Sequence, residues 1–199
     1  MLDARSPLAV EIMDANPHAY EALVVGGDTP ALARELLGAV RPEQLLSGPA
    51  ASPVAGFAML AGLWLWHDGL DECHRIVKES PANDAAANDA AANDAAGTFS
   101  FWHAIMHRRE GDFSNSKYWY ARAPGHPVLA ILAAQAGALV NQAPSDKQLL
   151  RLIASGWNPN AFVDLIESVR ENETDPREPL AVQLQRLEWT ALWAYCARP

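Results

Sequence analysis

The chain has 199 residues, of which 50% are hydrophobic and 20% charged, and its formal net charge at pH 7 is −9. This length and apolar content fit one domain with a full core. The acidic balance, with no basic run beyond Arg108-Arg109, argues against both nucleic acid and an anionic membrane surface as partners.

The first twenty residues lack the basic and apolar regions of a signal peptide. No apolar run reaches the ~18 residues that a membrane span requires. Cys73 and Cys196 are isolated in the sequence, which is typical of reduced core cysteines. We therefore expect a cytoplasmic protein that does not cross a membrane.

Helix starts are marked repeatedly by a capping residue followed by proline, at Ser6, Asn16, Thr29, Ser52 and Asn158. The side-chain oxygen accepts from an unpaired backbone N–H, and proline fits the first helical position. No clear run of alternating β-branched residues suggests a strand. The sequence therefore predicts an all-α fold, a compact bundle or a short array of helical hairpins. The predicted helices are 7–15, 17–25, 30–39, 53–67, 70–79, 99–110, 113–122, 127–141, 146–155, 159–171 and 178–196.

Residues 82–96 are three consecutive copies of ANDAA. The tract is small and polar, and it has no large apolar side chain that could anchor it to a core. We therefore expect an exposed loop over residues 81–97, or at most a frayed helix, within a single helical domain that covers residues 1–199.

Two segments beside this tract have the pattern of a helical hairpin, AMLAGLWLWHDGLDECHRIVKES and SFWHAIMHRREGDFSNSKYWYARA. In the second, a turn at 111–113 precedes Ser116, Tyr120 and Ala123, so it resembles a tetratricopeptide hairpin with small, aromatic and small packing positions. Cys73 and Ser116 would be equivalent positions 43 residues apart. Removing two ANDAA units brings this spacing close to the about 34 residues of that repeat. We expect tetratricopeptide-like packing here.

A second resemblance rests on the strings GLWLWHDGLDECH, FWHAIMHRREGDFSNSKYWYARAPGHP and EWTALWAYC. They look like segments of a family of uncharacterised, soluble, all-helical bacterial proteins, and the likeness runs roughly from Phe57 to Cys196. The string WHxxMHRREGD is its most specific part. The resemblance implies an all-helical cytoplasmic protein and carries no mechanism with it.

Each hairpin also carries a polar stripe of three potential metal ligands at positions i, i+4 and i+7. The stripes are His67, Asp71 and His74 in the first hairpin, and His103, His107 and Glu110 in the second. Residues at this spacing share one helical face, and each stripe flanks an apolar face in the same rotational sense. If antiparallel packing makes the stripes converge, His67 meets Glu110, Asp71 meets His107 and His74 meets His103. Such an arrangement predicts a Zn or Fe site of the helical-bundle type.

Gly69 decides whether His67, Asp71 and His74 lie on one continuous helix. If the chain turns there, as the tetratricopeptide-like interpretation requires, His67 leaves the helix that carries Asp71 and His74. A glycine inside a helix costs only about 1 kcal/mol, so an unbroken helix stays open. The stripes also lack the HExxH string of zinc proteases and the paired ExxH of di-iron bundles. Two interpretations without a metal therefore remain, namely hydrogen-bonded core histidines and metal-free acid–base catalysis.

A further set of polar and aromatic residues lies near the turn of the second hairpin. The basic pair Arg108-Arg109 could clamp a carboxylate or phosphate, or it could complement the helix dipole and stay solvated. The neighbouring polar and aromatic side chains could line a ligand pocket, although Trp119 also fits a packing role. The candidate ligand-binding residues are Arg108, Arg109, Asn115, Lys117, Tyr118 and Trp119.

Two classes of function remain open. The first is a helical interaction or small-ligand-binding protein that uses the hairpins at 57–79 and 99–123, with a protein or a small molecule as its partner. The alternative is a metal-dependent hydrolase in which a Zn- or Fe-bound water is the nucleophile. In it, the four histidines of the two stripes are ligands, and Asp71 or Glu110 is a ligand or base. The sequence contains no dinucleotide-binding, P-loop or serine-hydrolase motif.

Overall fold

The computed structural model describes residues 6–46, 53–80, 90–141 and 145–198. In these ranges the chain forms α-helices, one 3₁₀ helix at Pro42–Leu45 and no strand, which confirms the predicted all-α class. The helices are α1 (Pro7–Asp14), α2 (Ala31–Leu37), α3 (Pro53–Trp66), α4 (Leu70–Lys78), α5 (Ala90–Glu110), α6 (Phe113–Tyr120), α7 (Val128–Val140), α8 (Lys147–Arg151), α9 (Pro159–Arg170) and α10 (Glu178–Cys196).

None of the helices in the described ranges combines the length and the apolar content that crossing a membrane would need. Helices α3 and α4 form one hairpin, α5 and α6 form a second, and α4 packs against α5. Cys73 and Ser116, the predicted small packing positions of the two hairpins, are both completely buried. Tetratricopeptide-like packing of these hairpins stays a prediction.

The core is built around aromatic rings from α3, α5 and α10. The rings of Trp189 and Trp193 stack at 5.0 Å, and Trp66 lies 4.5 Å from Trp189. A Cβ at Gly62 would meet the Trp102 ring at 2.8 Å, so α3 can approach α5 this closely only because position 62 has no side chain. The close approach fixes α5, which carries five of the twelve candidate residues.

The chain does turn between α3 and α4. Asp68 takes the left-handed conformation with φ 60°, which aspartate tolerates better than most residues. The backbone N–H of Gly69 then donates to the carbonyl of Trp64 at 2.7 Å. A Cβ at Gly69 would lie 2.6 Å from the Trp64 ring, so the glycine is required by this contact. Its own φ is −82°.

The predicted helix at 17–25 is wrong, because side chains from distant helices take the carbonyls that a helix would use internally. Gln185 on α10 donates to the carbonyls of Tyr20 and Ala22 at 2.9 and 2.8 Å. Arg186 donates to the carbonyl of Ala19 at 2.7 Å. The segment instead forms turns, and Tyr20 has a φ of 61°.

The loop predicted at 81–97 is wrong for residues 90–97, which form the first two turns of α5; residues 81–89 lie outside the described part of the chain. Alanine-rich sequence has high helix propensity. Two polar residues also anchor this end of the helix, since Tyr195 donates a hydrogen bond to Asp94 and His126 Nε2 lies 3.0 Å from Thr98 Oγ1.

Arg108 and Arg109 are completely buried in ion pairs, so the predicted solvated basic pair is wrong. Arg108 Nη1 lies 2.5 Å from Glu188 Oε2 on α10 and donates to the Tyr120 hydroxyl at 2.7 Å. That hydroxyl donates to the other oxygen of Glu188 at 3.0 Å. Arg109 pairs with Asp68 at the turn before α4. The two arginines therefore hold α5 against three other parts of the fold.

Removing one partner of the buried pair should be strongly destabilising. Glu188→Ala leaves the Arg108 guanidinium charged and unpaired in the core, which costs about 3–5 kcal/mol in comparable buried pairs. Denaturant unfolding measures the loss. The control is Glu35→Ala at an exposed glutamate of α2, which should change stability by no more than about 0.5 kcal/mol. Equal effects of the two substitutions would contradict the assigned role of Glu188.

Candidate metal centre

Three histidines from two neighbouring helices meet at the contact between α4 and α5. They are His74 on α4, and His103 and His107 one turn apart on α5, and one ring nitrogen of each lies within 4.8 Å of the others. The His74 ring centroid lies 4.9 Å from that of His103 and 5.3 Å from that of His107. Three imidazoles at these distances form a possible metal-binding group.

The spacing of the three nitrogens is wider than in an occupied tetrahedral site. Zn–N bonds of about 2.0–2.1 Å place ligand nitrogens roughly 3.3 Å apart. The nitrogens of this group, within 4.8 Å of one another, would approach by up to about 1.5 Å. Metal binding therefore requires the ring nitrogens to lie closer together than they do in this arrangement.

His107 is held by Glu110 at one ring nitrogen and is flanked by Asn115. Its Nδ1 lies 2.9 Å from Glu110 Oε2, and because a carboxylate only accepts, Nδ1 carries the proton. The lone pair of a neutral ring is then on Nε2. The Asn115 amide nitrogen lies 3.0 Å from Nε2 and 3.4 Å from Nδ1, so it sits beside the ring and not along that lone pair. A carboxylate behind one nitrogen and a lone pair on the other is the arrangement found around metal-ligating histidines.

His103 is buried under an aromatic ring. The Trp119 ring stacks on its imidazole with centroids 3.8 Å apart and planes at 18°. Only 2% of His103 is exposed, and its Nε2 has no hydrogen-bond partner within the described structure. A buried polar nitrogen without a partner costs about 1–3 kcal/mol. The arrangement is therefore expensive unless something else binds that nitrogen.

The local environment favours the neutral form of two of the imidazoles, those of His103 and His74. Burial, with further contributions from His107, His74 and Lys78, lowers the pKa of His103 to about 3. Burial and the same kind of neighbouring positive charge also lower the pKa of His74, against the opposing effect of Glu110 and Asp71. Neutral imidazole is the form that binds a metal ion. These two histidines can therefore act as ligands at neutral pH without losing a proton.

The second hairpin places the supporting residues through its turn. Gly111 has a φ of 90°, which allows α6 to fold back along α5. Asp112 caps α6 by accepting from the backbone N–H of Asn115 at 3.1 Å. This cap fixes the start of α6, so that Asn115 and, one turn later, Trp119 lie over the two histidines of α5.

Three of the six predicted metal ligands are not part of the group. His67 lies past the end of α3 and its Nε2 donates to the Ile12 carbonyl of α1 at 2.9 Å, so its predicted pairing with Glu110 is wrong. Glu110 supports His107 instead. Asp71 is exposed and acts on His74 only through its charge. The predicted contact of His74 with His103 is confirmed.

The predicted ligand-binding residues do not form one surface. Arg108 and Arg109 are in the core, and Lys117 pairs with Asp164 of α9 at 2.5 Å. Tyr118 is 53% exposed and its hydroxyl accepts from Arg122 at 2.9 Å. Asn115 and Trp119 belong to the histidine cluster, an assignment that the sequence interpretation missed. Their i+8 and i+12 spacing from His107 across a Gly-Asp turn did not by itself identify this contact.

Comparison of the chain with protein-family models, with curated proteins and with solved structures found no match. Any function assigned to the chain must therefore be argued from its own residues.

The depressed pKa of His103 predicts a specific pH dependence of stability in the presence of a chelator. The folded-state pKa of about 3 lies below the ordinary value of 6.5. The buried, neutral His103 side chain therefore makes its full contribution to stability above pH 6.5, and this contribution is lost as the pH falls towards 3. Denaturant unfolding should show a shallower decline over this window for His103→Gln than for the wild type. Identical pH slopes would contradict a neutral, buried His103.

Proposed function

We propose that the protein binds a divalent transition-metal ion through His74, His103 and His107. The observation that carries the proposal is the convergence of three imidazoles, one of them buried with an unpartnered Nε2. A metal ion would give that nitrogen a partner and offset the desolvation of the buried ring. Glu110 and Asp71 add negative charge beside the group, which favours uptake of a cation.

The ligand set favours zinc. Imidazole nitrogens suit Zn, Cu, Fe and Ni, whereas Mg, Ca and Mn prefer oxygen ligands. The non-haem iron centres with two histidines use a carboxylate as third ligand, and in this group the third ligand is another histidine. Of the two metals expected from the sequence, Zn²⁺ therefore fits the described residues better than Fe²⁺.

The number of protein ligands bears on what the metal does. Structural zinc sites are closed by four protein ligands, while catalytic sites keep three and leave a position for water. Zinc lowers the pKa of such a water to about 7, which makes hydroxide available as a nucleophile near neutral pH. We therefore propose a zinc-dependent enzyme of the hydrolytic type. The proposal is supported by solvent exposure on one side of the group, since the Glu110 side chain is 52% exposed and His74 is partly exposed.

The first expected result is near-stoichiometric zinc in untagged protein purified without chelator, measured by plasma mass spectrometry. The His103→Ala/His107→Ala double variant should lose the zinc because two of three ligands are gone. His18→Ala, at an exposed histidine outside the group, should retain it. Wild-type protein that contains no metal and takes up none on incubation would overturn the proposal and leave the helical interaction protein as the remaining prediction.

Glu110 should tune the zinc affinity without being a ligand. Loss of such a supporting partner weakens metal binding by about 10–100-fold, so Glu110→Ala should raise the Kd by this factor. Glu110→Gln keeps an oxygen that accepts from His107 Nδ1 and should have a smaller effect. Competition with a chromophoric chelator measures both. An unchanged Kd for Glu110→Ala would exclude the supporting role.

A further inference from the structure

We propose that Trp119 is a positioning residue for the metal site, which holds the imidazole of His103 in one plane and so raises the affinity for zinc. This inference rests on the proposed zinc-binding function and adds a residue that is not itself a ligand. The indole lies over the face of the imidazole, with ring centroids 3.8 Å apart and ring planes inclined by 18°. His103 is also the most buried of the three proposed ligands.

A ring stacked on the face of an imidazole lies off the directions in which its nitrogens bind. The N–H bond and the lone pair of a neutral imidazole both lie in the plane of the ring, and a metal ion approaches along the lone pair. Because the two rings are nearly parallel, the indole of Trp119 lies above this plane. Nε2 of His103 has no hydrogen-bond partner in the described structure, so the stack does not satisfy this nitrogen. The contact therefore restrains the ring without competing for its lone pair.

The position of Trp119 is itself fixed by the packing of α6 on α5. The buried hydroxyl of Ser116 donates to the carbonyl of Ala104 at 2.8 Å, which sets the register of the two helices. Ala104 directly follows His103, and Trp119 comes three residues after Ser116, on the same side of α6. The register that joins Ser116 to Ala104 therefore also places the indole over the imidazole.

The restraint matters because metal binding requires His103 in one orientation. A side chain that is free before binding and ordered afterwards costs binding free energy, whereas a side chain that is already ordered avoids this cost. The imidazole of His103 stacks on Trp119 and also on His107, the latter with centroids 4.8 Å apart and planes at 19°. These two near-parallel contacts order the ring before the ion arrives.

Two other roles for Trp119 give different results. If the indole shields the site from the ion, its removal strengthens zinc binding. If the indole only packs α6 against α5, its removal lowers the stability of the metal-free protein and leaves the Kd for zinc unchanged. Positioning predicts weaker zinc binding by a folded variant, so the direction of the change in Kd separates the three roles.

The test is the Kd for Zn²⁺ of the full chain, measured by competition with a chromophoric chelator. Trp119→Ala should bind zinc about 2- to 12-fold more weakly, the factor that corresponds to ordering one side chain on binding. Trp119→Phe keeps an aromatic face over His103 and should restore most of the affinity. Tyr118→Ala removes the exposed ring at the adjacent position of α6, which meets the indole edge-on, and as the matched control it should leave the Kd unchanged.

Circular dichroism verifies that each variant is folded. If Trp119→Ala does not fold, Trp119→Leu retains apolar bulk at this position without a planar face, and the same weakening of zinc binding is expected. Stronger or unchanged zinc binding by a folded variant that lacks the aromatic ring overturns the positioning role while the zinc site stands. Wild-type protein that binds no zinc overturns both proposals.

Discussion

Two guanidinium groups buried side by side on α5 are the constraint on which the rest of the fold depends. Arg108 reaches α10 through Glu188, and Arg109 reaches the turn before α4 through Asp68. Arg109 also donates to the carbonyl of Ala22 and lies 3.9 Å from the centre of the Tyr20 ring. Because an unpaired buried charge is so unfavourable, these parts of the chain must all be in place together.

The same constraint positions the histidines. Arg108 and Arg109 directly follow His107 in the sequence, so fixing the arginines fixes the rotation of α5 and the direction in which His103 and His107 point. The Arg109–Asp68 pair also fixes the point from which α4 starts, and His74 is one turn into that helix. The core thus determines the distance between the ligands of the two helices.

Local signals in the sequence were sufficient for most of the helices and for half of the site. Proline-marked caps and the 3.6-residue period identified the helices, and the i, i+4 spacing of His103 and His107 together with His74 identified the cluster. For His67, the glycine at position 69 left both a turn and an unbroken helix open, and the contact with the Trp64 ring that requires this glycine is a property of the fold. The burial of Arg108 could not be predicted either, because its partner Glu188 lies 80 residues further along the chain.

The distribution of burial bears on what a metal ion would contribute. The large aromatic core and the arginine ion pairs involve none of the three histidines as partners. Folding is therefore supported by interactions that do not involve the three histidines, unlike small zinc domains, in which metal binding provides the folding energy. Buried polar atoms without a hydrogen-bond partner occur at several places in the described residues, and in the cluster the atom of this kind is Nε2 of His103. A metal ion binding there would change the chemistry of the α4–α5 contact far more than the stability of the fold.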